Sequence, residues 1–113
     1  MVELATTPTA RNCGLSNRIK LPKNQGMLFI FAFRRPRTFW MKDTYIPLSI
    51  AFLDDSGQII NIQHMAPMQT DELYYSSQPV KYALEVNQGW FNAHGIEVGD
   101  TVEMKLPLVI DIR

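Results

Sequence analysis

Leu48-Ser49-Ile50-Ala51-Phe52-Leu53-Asp54-Asp55-Ser56-Gly57 is the stretch that decides the fold. An extended apolar segment runs into a cluster of acidic, hydroxyl and glycine residues, and Gln58 to Met65 follows with Ile59, Ile60 and Ile62. Asp54, Asp55 and Ser56 can bond nearby amides and Gly57 can take a positive φ, so the pattern predicts a β-hairpin. Apolar residues on both faces of its first strand require cover from both sides.

Upstream, Met27-Leu28-Phe29-Ile30-Phe31-Ala32-Phe33 has the same character and is expected to be the central strand of the core. Leu21-Pro22-Lys23-Asn24-Gln25-Gly26 before it is loop punctuation. Val2 to Ala5 alternates as a strand. Thr7 then suits an N-cap, Pro8 the first helical position and Gly14 the helix end, which predicts a short helix to about Cys13. Thr38 to Met41 is expected to be a further strand, stopped before Pro47.

Downstream, Ala66 to Pro79 lacks periodicity and reads as a long loop, with Tyr74 and Tyr75 placed either to pin it to the body or to lie over a site. In Val80 to Val86, Tyr82, Leu84 and Val86 share one face of a strand while Lys81, Ala83 and Glu85 share the other. Asn87 is the expected N-cap of a helix over 88–94, ended by Gly95. Thr101 to Leu106 and Leu108 to Ile112 are expected as final strands around Pro107. With roughly seven strands to two short helices and short connections, the expected fold is α+β, mostly β. It is read as a small antiparallel barrel or half-barrel closed by two short helices, forming one domain over residues 1–113.

Composition narrows the functions. Leu, Ile, Val and Phe supply 32 of the 113 residues, above the roughly 20% below which disorder is expected. Eleven basic and eleven acidic side chains cancel, leaving no global field for nucleic acid or an anionic membrane. The local exception is Arg34, Arg35 and Arg37 around Pro36, which equally suit a solvated turn. One cysteine, Cys13, excludes an intramolecular disulfide, and no cysteine stands at a metal-ligand spacing from His64 or His94. No metal and no cofactor are therefore expected. No apolar run approaches the roughly 18 to 20 residues of a spanning helix, and the first ten residues lack the pattern of a signal peptide. From this chain alone a cytoplasmic location is expected, or an exported one if a leader was removed.

Chemistry concentrates in Phe39-Trp40-Met41-Lys42-Asp43-Thr44-Tyr45-Ile46-Pro47-Leu48, where a charged island sits between apolar arms. Trp40 and Lys42 on one strand face would offer an apolar platform beside a donor, suited to sugar rings, bases or planar anions. Thr44, before the proline break, can aim its hydroxyl at the same place. Asp43 and Glu85 are the acids most embedded among apolar residues, and burial of either would raise its pKa and make it a proton donor. Lys42 or Arg18 would equally serve such an acid as a structural partner. Nothing resembles a Gly-x-Ser-x-Gly elbow, and His64 has no partner near in sequence. His94, before Gly95, is placed to meet the carboxyl end of its helix.

Gly14-Leu15 with Arg18, Gly26-Met27-Leu28-Phe29, Phe39-Trp40-Met41-Lys42 with Thr44, Ile46-Pro47-Leu48, Leu84-Glu85 with Gly89-Trp90, and Gly99-Asp100 with Val102 together resemble the domain of unknown function 192 family over nearly the whole chain. The resemblance implies a small, β-rich, barrel-like α+β domain of bacteria and archaea, many of whose members carry a signal peptide or lipoprotein anchor. It implies no established activity. The chain departs from the family pattern at Asp43, where Asn is usual, and at Ser49, where Asp is usual. If the two positions face each other, a carboxylate has crossed between them while a shared hydrogen-bonding partner stayed.

Three functional readings follow. The first is a small non-enzymatic binding domain, a monomer or weak dimer, with a cleft lined by Arg18, Trp40, Lys42, Asp43, Thr44 and Glu85 for a small polar, sugar-like or planar ligand. The second is an acid-base hydrolase or lyase using Asp43 or Glu85. The third is a protein-interaction module using Arg34, Arg35, Arg37 and the Tyr74-Tyr75 loop.

Overall fold

A computed structural model describes residues 2–104, 106, 110, 112 and 113. In chain order its elements are β1 (Val2–Ala5), α1 (Pro8–Cys13), β2 (Gly26–Arg35), β3 (Thr38–Phe39), β4 (Leu48–Leu53), β5 (Ile59–Met65), β6 (Tyr74–Tyr75), β7 (Val80–Asn87) and α2 (Trp90–Ala93). Five strands form one sheet in the order β1-β2-β7-β4-β5, and β3 pairs with β6 in a separate two-stranded ribbon. The fold is thus α+β and mostly β.

The barrel is not formed. Closure would need β1 to pair with β5, but β1 pairs with β2 and β5 with β4, so the sheet is open with those two strands at its edges. The first pair is also parallel, Val2 lying opposite Gly26 and Ala5 opposite Phe29, because the chain crosses over through α1 between them. The central strand is β7 rather than β2: β7 pairs antiparallel with β2 on one side and β4 on the other. Beyond Ile30 the β2 register shifts and its cover ends, leaving Phe33 exposed.

Both sheet faces are packed, as the apolar strands require. Met27, Phe29, Ile50, Phe52 and Ala83 form one core with Leu15, Leu21, Met41 and Ile46 from the connections. Leu28, Ile30, Ala51, Leu53, Leu84 and Val86 form the other beneath Phe91 of α2. Gly26 lies where β2 and β7 run close: a Cβ there would sit 2.5 Å from the Glu85 carbonyl oxygen. No side chain fits that approach without moving backbone.

Local chemistry explains the turns. Thr7 Oγ1 accepts from the Ala10 amide at 3.2 Å, Pro8 occupies the first turn and Gly14 leaves the helix at φ 50°. In the hairpin, Asp54 Oδ1 accepts from the Ser56 and Gln58 amides at 2.9 and 3.0 Å and from the Ser56 hydroxyl at 2.6 Å. α2 is shorter than expected and starts after Gly89, at φ 89°. Asn87 remains in β7, where its side-chain amide donates to the Leu21 carbonyl at 2.9 Å instead of capping a helix. Thr101 makes an isolated bridge to Gln58. Parts of the two expected C-terminal strands, at Lys105, Pro107, Leu108, Val109 and Asp111, lie outside the described residues.

Candidate functional site

The alternation of β7 puts Ala83 and Glu85 on the sheet face shared with Met27, Phe29 and Ile50, since Glu85 is in register with Met27 on one side and Ile50 on the other. Over this face lies a cleft of about 420 Å³. Phe29, Phe31, Leu48 and Glu85 rise from the sheet to line it, residues 11–16 of α1 and the turn after it form one wall, and residues 38–44 form the other. The volume falls in the range of small-molecule sites, roughly 300–1,000 Å³.

Glu85 is 5% exposed. No ion pair or hydrogen bond reaches its carboxyl from the other described residues, and burial alone pushes it up to about 8. At neutral pH it is therefore mostly protonated. Its polar outlet is the cleft that it lines. Neither suggested partner neutralises it: Arg18 instead forms a two-pronged ion pair with Glu3, at 2.5 and 2.9 Å, and Lys42 has its ammonium 5.5 Å from the Trp40 ring centroid.

The second wall is a clasped turn. Regular strand stops at Phe39, and Thr44 closes a turn by its amide to the Met41 carbonyl at 3.2 Å and its hydroxyl to the Lys42 carbonyl at 3.0 Å. Asp43 sits within this turn at φ 53°. That left-handed conformation is one that Asn and Asp tolerate better than other side chains, because a short polar group can bond locally. The segment is then held from outside: the Met41 amide donates to Gln69, the Met68 amide to Thr44 and the Asn17 amide to Asp43, at 3.1, 2.8 and 2.7 Å. Tyr74 is buried beside it, with its hydroxyl donating to Gln69 and accepting from the Ala66 amide. This aromatic pins the loop to the body; Tyr75 is exposed.

Of the six residues singled out in sequence, Trp40, Lys42, Asp43, Thr44 and Glu85 line this one cleft, and Arg18 does not. Thr44 is a framework residue, its hydroxyl being committed to the Lys42 carbonyl. Arg11, Asn12, Cys13 and Ser16 line the cleft and were not singled out. Their one sequence signal, the Thr7-Pro8 cap, announces a helix and not the sheet face on which it packs. Arg11 donates to the Ile30 carbonyl at 2.9 Å and lies 4.8 Å from the Phe31 ring centroid.

Asp43 and Ser49 do not face a common partner. Ser49 is fully buried on the opposite side of the sheet, in register with Val86, whereas Asp43 is exposed at the cleft. No carboxylate is exchanged between the two positions. Ser49 Oγ lies 2.8 Å from His64 Nδ1 and accepts from the Gly89 amide at 3.3 Å. The strand register, invisible in sequence, brings this hydroxyl and base together. With Ser49 sealed from the cleft, the pair ties β5 and the α2 turn to β4 and presents no accessible nucleophile. His94 Nδ1–H donates at 2.8 Å to the carbonyl of Trp90, the first residue of α2, and its ring stacks on Trp90.

Among the described residues, no group of three or more His, Cys, Asp or Glu could hold a metal ion, and no helix is long and apolar enough to cross a membrane. The fold and cleft define a small, open-sheet α+β domain with an aromatic-walled pocket over one buried carboxyl. The family model of the domain of unknown function 192, described as "Uncharacterized ACR", matches residues 1–104, and the chain belongs to this family. A Sinorhizobium meliloti 1021 crystal structure, of a protein provisionally called a transcription regulator, is similar at 39% identity and TM-score 0.86, over 90% of this chain and 79% of that one. A Novosphingobium aromaticivorans DSM 12444 crystal structure, of a protein of unknown function, is similar at 34% identity and TM-score 0.87, over 91% and 74%. No curated protein matches the chain significantly.

Proposed function

We propose that the protein is a small-molecule-binding domain whose ligand lies in the cleft above Glu85 with a flat or sugar-like face against Trp40. The observation that carries this reading is the convergence, in one cleft, of a buried carboxyl without a partner among the described residues, a half-exposed indole and an exposed ammonium. A buried polar group is retained at a cost unless something bonds it, and a ligand in the cleft is placed to do so. Lys42 and Asp43 at the rim supply a donor and an acceptor for ligand hydroxyls. In a Trp90→Phe variant, Trp40 reports alone. A saturable change in its emission with a member of a sugar, nucleotide and peptidoglycan-fragment panel is expected, and no response across the panel contradicts the reading.

The acid-base alternative gains support from Glu85 itself. A carboxyl that holds its proton at neutral pH inside a cleft, with Asp43 as a second acid on the same cleft, is the pattern of a proton donor in a hydrolase or lyase. Turnover of a chromogenic glycoside or ester, lost in Glu85→Gln and falling above about pH 8, would establish it. Binding without turnover dismisses it.

The neighbour's provisional name would suggest nucleic acid, but three of the arginines here are engaged within the fold. Arg34 pairs with Asp55, Arg18 with Glu3, and Arg37 reaches the Val80 and Phe33 carbonyls. These separate contacts also scatter the arginines that an interaction module would have used together.

A further inference from the structure

The binding reading leaves the ligand's charge open, and the cleft's own packing bears on it. Two guanidinium groups already rest on one of its rings: Arg11 and Arg37 lie 4.8 and 3.7 Å from the Phe31 ring centroid. The Lys42 ammonium lies over Trp40. The rings of this cleft therefore take cations on their faces, as aromatic quadrupoles do. Beneath them, Phe39 packs edge-on to Phe29 at 5.1 Å, leaving Glu85 as the floor's one ionisable group among the described residues.

The geometry points to a ligand that carries a cationic nitrogen, an ammonium or guanidinium, seated between the aromatic walls with its charge on the Glu85 carboxylate. This deepens the binding reading and rests on it. An aromatic enclosure recognises such a group by its faces, and a carboxylate on the floor fixes its position. The other charged or titratable groups lining the cleft with Glu85 are Arg11 and Cys13 from the α1 side and Lys42 and Asp43 from the turn; β2 and β4 present Met27, Phe29, Leu48 and Ile50 on the same sheet face. Arg11 is bonded to the Ile30 carbonyl and stacked on Phe31, and the Lys42 ammonium lies over Trp40. The incoming cation thus meets the Glu85 carboxyl on the floor and the Asp43 carboxylate at the rim.

Binding is then coupled to a proton. Free Glu85 holds its proton until about pH 8, and a cation beside it favours the ionised form, so each binding event below that pH releases one proton to solvent. Affinity for a permanently charged cation should rise about tenfold per pH unit from pH 6 and level off near pH 8.

The test is calorimetric titration of the whole chain with choline and methylguanidinium, both charged throughout pH 6 to 9, and with 3,3-dimethylbutan-1-ol, the neutral analogue of choline. Expected are saturable binding of the cations, the stated rise with pH, proton release seen as a dependence on buffer ionisation enthalpy, and a flat, weaker response to the alcohol. Glu85→Gln, which keeps the side chain's shape and whose folding is checked by its unfolding transition, should abolish the pH slope. Equal binding of choline and the alcohol, a pH-independent affinity, a slope that survives in Glu85→Gln, or no binding of either cation overturns the inference. If the cations fail while an uncharged sugar or nucleotide still alters Trp40 emission, the binding reading stands and only the cationic ligand is lost.

Discussion

Replacing Glu85 by Gln should change how stability depends on pH more than any other single substitution. In the folded chain the carboxyl is buried and its pKa is raised from 4.5 to about 8; in the unfolded chain it returns to the ordinary value. The folded state therefore binds the proton more tightly, and stability falls as pH rises between those two values. Below about pH 4.5 the full contribution is present, and above about pH 8 it is lost. At about 1.4 kcal/mol per unit, the whole window corresponds to about 5 kcal/mol, a large share of the 5–15 kcal/mol typical of a domain. Glutamine has the same shape and cannot ionise. Urea unfolding followed by far-ultraviolet circular dichroism at pH 4.5, 6, 7, 8 and 9 should show the two proteins similar at the acidic end. The variant should become the more stable by several kcal/mol at pH 8 and above. Glu3 and Asp54, whose carboxyls are held low by Arg18 and by the Ser56 hydroxyl respectively, titrate alike in both proteins and cancel in the difference. Parallel pH profiles for wild type and variant would refute the reasoning.

Other substitutions test the frame around the cleft. Asp43→Asn and Asp43→Gly should leave stability nearly unchanged, whereas Asp43→Val, forced into φ 53°, should cost roughly 1–2 kcal/mol in chemical denaturation. Ser49→Ala removes a buried acceptor from the Gly89 amide and a partner from His64; a loss of about 1–3 kcal/mol is expected, with the cleft's ligand response intact. Gly26→Ala places a methyl 2.5 Å from the Glu85 carbonyl oxygen and should cost about 1–3 kcal/mol or prevent folding, read from the thermal midpoint and soluble yield. Arg18→Ala breaks an exposed pair with Glu3 and should change stability by under about 1 kcal/mol, without altering the titration of Glu85.

Much of this was legible in sequence where the determinants are local. Thr7-Pro8 and Gly14 announce α1, Asp54 to Gly57 announces the hairpin, and strict alternation in Val80 to Val86 puts Glu85 with Ala83 on one face. Pairing over long sequence distances was not legible. Nothing in Val2 to Ala5 says that it runs parallel to β2 as an open edge, nor in Val80 to Asn87 that this late strand inserts between β2 and β4. The barrel expectation failed for that reason, and the contribution of α1 to the cleft was hidden by it. Arg18 was misplaced because its partner, Glu3, lies on a strand whose position depends on the same crossover. Ser49 and His64 met only through the β4–β5 register. The Phe39 to Thr44 segment was recognised by its mixed chemistry, but its shape depends on backbone bonds from residues 17, 68 and 69, which no local pattern foretells.

The most direct measurement is the titration of the Glu85 side-chain carboxyl carbon by ¹³C NMR from pH 4 to 10, assigned by comparison with Glu85→Gln. A buried, proton-holding carboxyl at the floor of a ligand cleft predicts a midpoint near 8 that moves when the cleft's ligand is added. A midpoint near 4.5, or one unmoved by a ligand shown to bind at Trp40, would contradict it.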